Sequence, residues 1–433
     1  MSQGFPSMHT QAHAAENAFL LLCCRSMLTD ADACGETTAA GAHERLDWDY
    51  LFRRAQQHGI GPFVYHFLKT FRDDAVLPLA VLEKLKKNCM TTLIVNRKLL
   101  DVYEDICAAF ESEQICLIPY KGISFLSGLY GAIDLRPMSD IDILVKKNDV
   151  PNAAAVLERM GFHSIPHNIL FRDRHFHLTF IRHIKQCPLV VEIHWHVDFS
   201  GSPFALRIED VWNRAQQAGP RQNVYAMDIH DNLLLNLYHL LRDPDQDKVV
   251  PLKNCVDIAL LLQRHRAAID WCILRQRAAD YSLQRVADFG LALLEHLSLV
   301  ASDMLRGGSR GADVPRELIE AFVCEKIFPD MEQKAFLPEG LLVHTPSGVA
   351  VGLNPRAVFK TIFYHLVNEY IHQGSFAAYL RKIMTDFRRA VKNYVVVTRA
   401  LLFNPRLFSA VKEIEIKRID SLHKIESWLQ GKG

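Results

Sequence analysis

Apolar residues recur at intervals of three and four from Ala14 to about Phe110, as in Leu51 and Ala55 or Leu99, Val102 and Ile106. That spacing keeps one face of a 3.6-residue helix apolar, so residues 1–110 read as a helical region. From Ile115 to Val197 the pattern shifts to short alternating or continuous apolar runs, with one helical stretch around 151–160. A period of two marks half-buried strands, which predicts a small mixed sheet within an α/β core at 111–210. After Trp212 the helical period returns. It predicts a helical region at 211–305 packed on the core and a mainly helical region at 306–433. The segment 306–315, with Gly307, Gly308, Gly311 and Pro315, reads as a loop or hinge. The segment 328–355 holds Pro329, Pro338, Pro346 and Gly348 among few periodic apolar residues and reads as an irregular insertion. The predicted class is therefore α+β: a helical N-terminal region, a small mixed sheet and a large helical C-terminal region.

Two short stretches echo each other. Asp47-Trp48 with Leu51 and Ala55, and Asp270-Trp271 with Leu274 and Ala278, share the same spacing. In each, the aspartate reads as a helix cap, the tryptophan as an anchor, and the Leu and Ala as the core-facing positions.

Composition narrows the class without naming it. Lys plus Arg number 50 against 49 for Asp plus Glu, so no global field points to nucleic acid or an anionic membrane. Phosphate recognition must be local. The ten cysteines are scattered without a CxxC, which suits a reducing cytoplasm rather than a disulfide framework or a zinc ribbon. The apolar run from Ala18 to Cys24 follows Glu16 rather than a basic segment and reads as a core helix, not a leader. No run reaches the roughly 20 apolar residues that span a bilayer. The C-terminal stretch from Leu407 to Leu429 sets apolar residues at near-helical spacing among Lys412, Lys417, Arg418 and Lys424, a pattern suited to self-packing or to a protein partner's groove.

The chemistry concentrates in Pro119-Tyr120-Lys121-Gly122 and in Arg136-Pro-Met-Ser139-Asp140-Ile-Asp142-Ile-Leu-Val145. On a strand, Asp140 and Asp142 share a face and stand roughly 6–7 Å apart, while Ile141, Ile143 and Val145 face the core. Two carboxylates that close repel unless a cation lies between them, and Mg²⁺ or Mn²⁺ suits hard oxygen ligands and phosphates together. A second alternation, Leu189 to Val197, places Glu192, His194 and His196 opposite Leu189, Val191, Ile193, Trp195 and Val197. Set beside the first strand with polar faces aligned, it adds Glu192 as a third acid, either a metal ligand or a base. A third alternation puts His175, His177 and Thr179 on a histidine-rich face.

These residues resemble the nucleotidyltransferase-fold superfamily with a polymerase-beta-like core. The similarity rests on Lys121-Gly122, Arg136-x-x-Ser139-Asp140-x-Asp142 and Glu192-x-His194-Trp195, together with Asp47, Trp48, Ala55, His58 and Gly59. It is nearest to a bacterial branch of nucleotidyltransferase family proteins and covers about the first two-thirds of the chain. The resemblance implies that Asp140, Asp142 and Glu192 hold metal and carry catalysis, with a glycine-bearing turn near the triphosphate. Lys121, Gly122, Ser124, Arg136 and Ser139 are the candidate nucleotide contacts, although Gly122 is followed by Ile123 where many members carry Gly-Ser or Gly-Gly. Arg136 either pairs with Asp140 or clamps a phosphate bidentately. Ser139 orients Asp140, binds a phosphate oxygen or caps a turn.

The expected reaction moves a nucleoside monophosphate from a nucleoside triphosphate, ATP first among them, to an unidentified acceptor, releasing pyrophosphate. Two competing readings stand beside it. One is a metallohydrolase built from His175, His177, His194 and His196 with the carboxylates. The other is a nucleotide-binding regulatory protein that keeps the fold without the reaction.

Overall fold

The computed structural model describes residues 13–28, 46–70, 78–126, 128–165, 176–184, 187–198, 202–242, 249–305, 313–329, 342–345, 348–351 and 420–431. The N-terminal part is helical: α1 (Ala14–Ser26), α2 (Trp48–Gln57), α3 (Gly61–Lys69) and the 34-residue α4 (Leu79–Ser112). Asp47 caps α2, its carboxylate accepting from the Tyr50 amide at 2.9 Å, and Leu51 and Ala55 lie in the core. Pro62 sits in the first turn of α3, where a missing N–H costs nothing. On α4 the buried stripe Val81, Leu85, Cys89, Thr92, Asn96, Leu99, Val102, Ile106 and Phe110 steps by three and four. At 1.5 Å per residue this helix is about 50 Å long. Its second half is the floor on which the sheet rests.

That sheet has five strands in the order β1 (Leu117–Tyr120), β2 (Asp140–Val145), β5 (Cys187–His194), β4 (His177–Ile184) and β3 (His163–Ser164). β2 and β5 run parallel, and the other pairs are antiparallel. Ile141, Ile143 and Val145 from β2, Leu189, Val191 and Ile193 from β5, and Phe180 from β4 turn one way. They pack on Leu99, Val102, Ile106 and Phe110 of α4 and on Ala153, Val156 and Leu157 of α6 (Val150–Arg159). The alternation along each strand leaves the opposite face to Asp140, Asp142, Glu192 and His194. The turn after β1 closes into the five-residue helix α5 (Gly122–Leu126).

After the sheet come α7 (Ile208–Arg214), the two-residue strands β6 (Gln216–Gln217) and β7 (Tyr225–Ala226), and four helices: α8 (Ile229–Leu241), α9 (Leu252–Arg264), α10 (Trp271–Asp280) and α11 (Gln284–His296). Asp270 caps α10 by accepting from the amides of Cys272 and Ile273, with Leu274 and Ala278 buried beneath. The fully buried Asp231 of α8 is satisfied by a bidentate Arg214, by Arg277 and by Tyr281. Residues 320–427 form a second compact unit. Its described parts include a π-helical turn (Val323–Ile327) and an antiparallel hairpin, β8 (Leu342–Thr345) with β9 (Gly348–Val351). The hairpin lies inside the 328–355 span expected to be irregular. Four-residue strands are too short to show a period in sequence, and main-chain pairing supplies the order. The expected 306–315 hinge falls mostly outside the described residues. Among the described residues no helix is long and apolar enough to cross a membrane.

One polar residue ties the N-terminal helices to α9. The backbone oxygen of His58, at the C-terminus of α2, accepts from the Lys253 amide at 3.2 Å, and its ring Nδ1 accepts from the Leu252 amide at 3.3 Å. These are two of the first amides of α9, which have no partner within the helix. The ring is fully buried, and burial first, then Arg54, pushes its pKa from 6.5 down to about 3. The folded ring therefore stays neutral where a free histidine takes a proton, and its share of stability is complete above pH 6.5 and lost as the pH falls. Equilibrium urea unfolding should show the wild type losing about 3 kcal/mol more than His58→Gln between pH 6.5 and pH 4. Equal slopes for the two proteins would exclude a neutral buried ring here.

Candidate active site

The parallel register of β2 and β5 sets Asp142 directly beside Glu192 and Asp140 beside Val190, while Thr179 of β4 flanks Glu192 on its other side. Neighbouring strands stand about 4.8 Å apart, so Asp142 and Glu192 are brought together by backbone pairing alone. His194 lies two residues beyond Glu192 on the same face. Its Nε2 is 2.8 Å from Asp142 Oδ1 and 3.3 Å from Glu192 Oε2. Ligand atoms of Asp142, Glu192 and His194 all fall within 4.8 Å of one another. Asp140 stands next to this tight group, at the mouth of the strand.

Lys121 supplies the nearest fixed positive charge, with Nζ 3.4 Å from Asp142 Oδ1. Its backbone is left-handed at φ 51°, a conformation that a residue with a Cβ adopts at a cost of about 1 kcal/mol or more. Burial opposes the charge on Lys121, but Asp142 first, then Tyr120, Glu192 and Asp140, holds its pKa up at about 12. Asp142 responds in kind. Burial works against its charge, and Lys121 and His194 together bring its pKa well below the ordinary carboxylate range. Asp140 goes the other way, pushed up to about 6 by burial and by the charges of Asp142 and Glu192. Burial also works against Glu192, whose pKa the His194 hydrogen bond nevertheless lowers. Those same bonds to Asp142 and Glu192 overcome burial and raise the pKa of His194.

A cavity of about 180 Å³ opens over this face. Of the residues expected from sequence, it collects Lys121, Gly122, Arg136, Ser139, Asp140 and Asp142. Glu192 is not part of its lining and meets the site through Asp142 and His194. Ser124 is also outside the lining, its half-buried hydroxyl donating to the Lys121 carbonyl at 2.7 Å and closing the first turn of α5. Arg136 is buried and bidentate on Asp257 of α9, with Nε to Oδ1 at 2.8 Å and Nη2 to Oδ2 at 2.7 Å, while Tyr130 donates to the same carboxylate at 2.7 Å. The carboxylate partner expected for Arg136 was Asp140; the structure gives it Asp257 instead. Gly122 is small for a related reason: a Cβ there would stand 2.9 Å from Arg136 Nη1 and 3.1 Å from Met138 Sδ. Ser139 is exposed at the cavity rim.

Of the strand histidines, His177 pairs with His194 in register, the ring centroids 5.1 Å apart. His196 leaves the sheet and takes up the Asp198 amide and the Leu206 carbonyl. His175 lies outside the described residues. Asn236 and His239 of α8, and Lys253, Asn254 and Asp257 of α9, complete the cavity and were not singled out from sequence. Burial, then Lys121, lowers the pKa of His239 well below 6.5, so it presents a neutral imidazole. The sequence signal was present: Asn236 and His239 stand three apart in an otherwise leucine-rich helix, and Lys253 and Asp257 four apart in the next. Such spacing puts each pair on one helix face.

Comparison with known proteins supports the class that this geometry suggests, a nucleotidyl-transferring enzyme. The chain belongs to the family described as Uncharacterised nucleotidyltransferase, whose profile matches residues 44–298, more than half of its length. No curated protein and no solved structure matches it.

The buried ion pair that closes the cavity gives a direct test. Asp257→Ala leaves Arg136 charged and unpaired in the interior, and should lower unfolding free energy by about 3–5 kcal/mol in a denaturant titration. A loss below about 1 kcal/mol would mean that water reaches Arg136 in the folded protein.

Proposed function

We propose that this chain transfers a nucleoside monophosphate from a nucleoside triphosphate, with ATP the first to test, to an acceptor nucleophile and releases pyrophosphate. The observation that carries the reading is the Asp142–Glu192 register, which puts a third acid beside the Asp140–Asp142 pair without any help from loops.

A divalent cation suits the donor set. The carboxylates of Asp140, Asp142 and Glu192 offer hard oxygens, and burial first, then the charges of Asp142 and Glu192, raise the pKa of Asp140, a penalty that a bound cation would relieve. Bound there, Mg²⁺ or Mn²⁺ would neutralise charge developing on the phosphoryl oxygens. The chain itself supplies the rest. Lys121 and Lys253 hold the polyphosphate by charge, and Asn236 and Asn254 offer amide hydrogen bonds from the cavity wall. The acceptor oxygen bonds to the α-phosphorus, the bridging oxygen leaves with pyrophosphate, and the acceptor's proton passes to the carboxylate cluster, in which Glu192 backs Asp142 as ligand or base. Pockets that enclose a whole small ligand run to roughly 300–1,000 Å³. At about 180 Å³ this one takes the phosphate end, leaving base and sugar at its open side.

His194 within the carboxylate group favours one second reading, a histidine and carboxylate metallohydrolase. Incubating full-length protein with α-phosphate-labelled nucleotides and Mg²⁺ or Mn²⁺ separates the two. Transfer yields label in a new product together with pyrophosphate, and Asp142→Asn should lower that rate by at least about 100-fold. Equal labelling by Asp142→Asn would remove the assignment, and phosphate release supported by Zn²⁺ alone would favour the hydrolase. Lys253→Ala should weaken nucleotide binding roughly tenfold, as one phosphate contact is lost, read from the nucleotide dependence of thermal unfolding. An unchanged dependence would place the phosphates elsewhere.

A further inference from the structure

Away from the carboxylate cluster, three side chains of different chemistry converge where the 128–139 segment meets the helices. His66 comes from α3, Cys89 from the middle of α4 and Asp134 from the segment itself. His66 Nε2 is 3.2 Å from Asp134 Oδ2, Cys89 Sγ is 3.3 Å from the same oxygen, and Sγ and Nε2 are 3.7 Å apart. A tetrahedral zinc, with bonds of roughly 2.0 Å to nitrogen and oxygen and 2.3 Å to sulfur, sets donor-to-donor edges of about 3.3–3.6 Å. The triangle's edges of 3.2, 3.3 and 3.7 Å stand close to those dimensions. The thiol and the imidazole each contact the carboxylate and each other, an arrangement that internal hydrogen bonds hold together and that leaves a shared cation room at its centre.

We propose that His66, Cys89 and Asp134 form a second cation site, selective for a zinc-class ion, which staples the 128–139 segment to the α3–α4 pair. Sulfur and imidazole together select zinc over magnesium, the reverse of the all-oxygen set of Asp140, Asp142 and Glu192. Cys89 is buried, while the side chains of His66 and Asp134 are 36% and 23% exposed, which leaves an entry path and a fourth position for water. Without a cation the sulfur stays a thiol, since burial and Asp134 push it up to about 12. On binding, a metal–sulfur bond forms and the thiol proton passes to solvent. The staple acts on a segment already gripped by Asn96, whose amide donates to the carbonyls of Ile133 at 2.6 Å and Arg136 at 2.7 Å. That segment delivers Ser139 and Asp140 to the cavity.

The test uses metal-stripped full-length protein titrated with Co²⁺ as a coloured stand-in, then with Zn²⁺. A sulfur-to-cobalt charge-transfer band should saturate at about one equivalent per chain and vanish as Zn²⁺ displaces the cobalt. Cys89→Ser should lose the band, and Asp142→Asn should keep it. His66→Ala, at a half-exposed position that tolerates truncation, should weaken cobalt binding at least about tenfold. Zn²⁺ should raise the thermal midpoint of the wild type by more than that of His66→Ala. No band in the folded wild type, a full band in Cys89→Ser, loss of the band in Asp142→Asn, or unaltered affinity in His66→Ala would each overturn the proposal.

Discussion

The pairing of β2 with β5 is the constraint on which the rest of the site depends. Parallel strands in register hold Asp142 and Glu192 side by side, and the ladder keeps their two backbone positions together. Like charges confined at that spacing are unfavourable by themselves. The molecule answers with a buried histidine between them and a lysine beside Asp142. Asp140 is left as the acid whose charge is least compensated.

A second layer of order comes from the segment between α5 and β2, which has almost no regular structure of its own. Its position is set by polar anchors instead: Asn96 holds its carbonyls, and Arg136 reaches across to Asp257. Burying the Arg136–Asp257 pair is expensive in desolvation, and the pair is retained with bidentate geometry and a third hydrogen bond from Tyr130. The cavity therefore has walls from two distant parts of the chain, joined by one ion pair.

How much of this was readable beforehand follows from the range of the forces involved. The strand alternation around Asp142 and Glu192 is local, so the mixed sheet could be read directly, and so could the two aspartate-capped helices at Asp47 and Asp270. The partner of Arg136 was not, because Asp257 lies 121 residues away and a guanidinium suits phosphate and carboxylate equally. Ser124, a candidate nucleotide contact by resemblance, closes a helical turn whose helix is only five residues long and shows no period in sequence. The contributions of α8 and α9 show in sequence only as polar pairs on apolar helices, and nothing local says which distant surface such a pair faces. The β8–β9 hairpin was hidden by its brevity.

Lys121 carries one more consequence. Its left-handed backbone and its charge make opposite demands on residue type, since the first favours glycine or asparagine and the second a cation. Sequence drift at this position is thus boxed in from two directions. An engineer wishing to silence the charge while sparing the backbone would choose asparagine over alanine or valine, and would expect the relieved backbone to offset only part of what Asp142 loses with its cation.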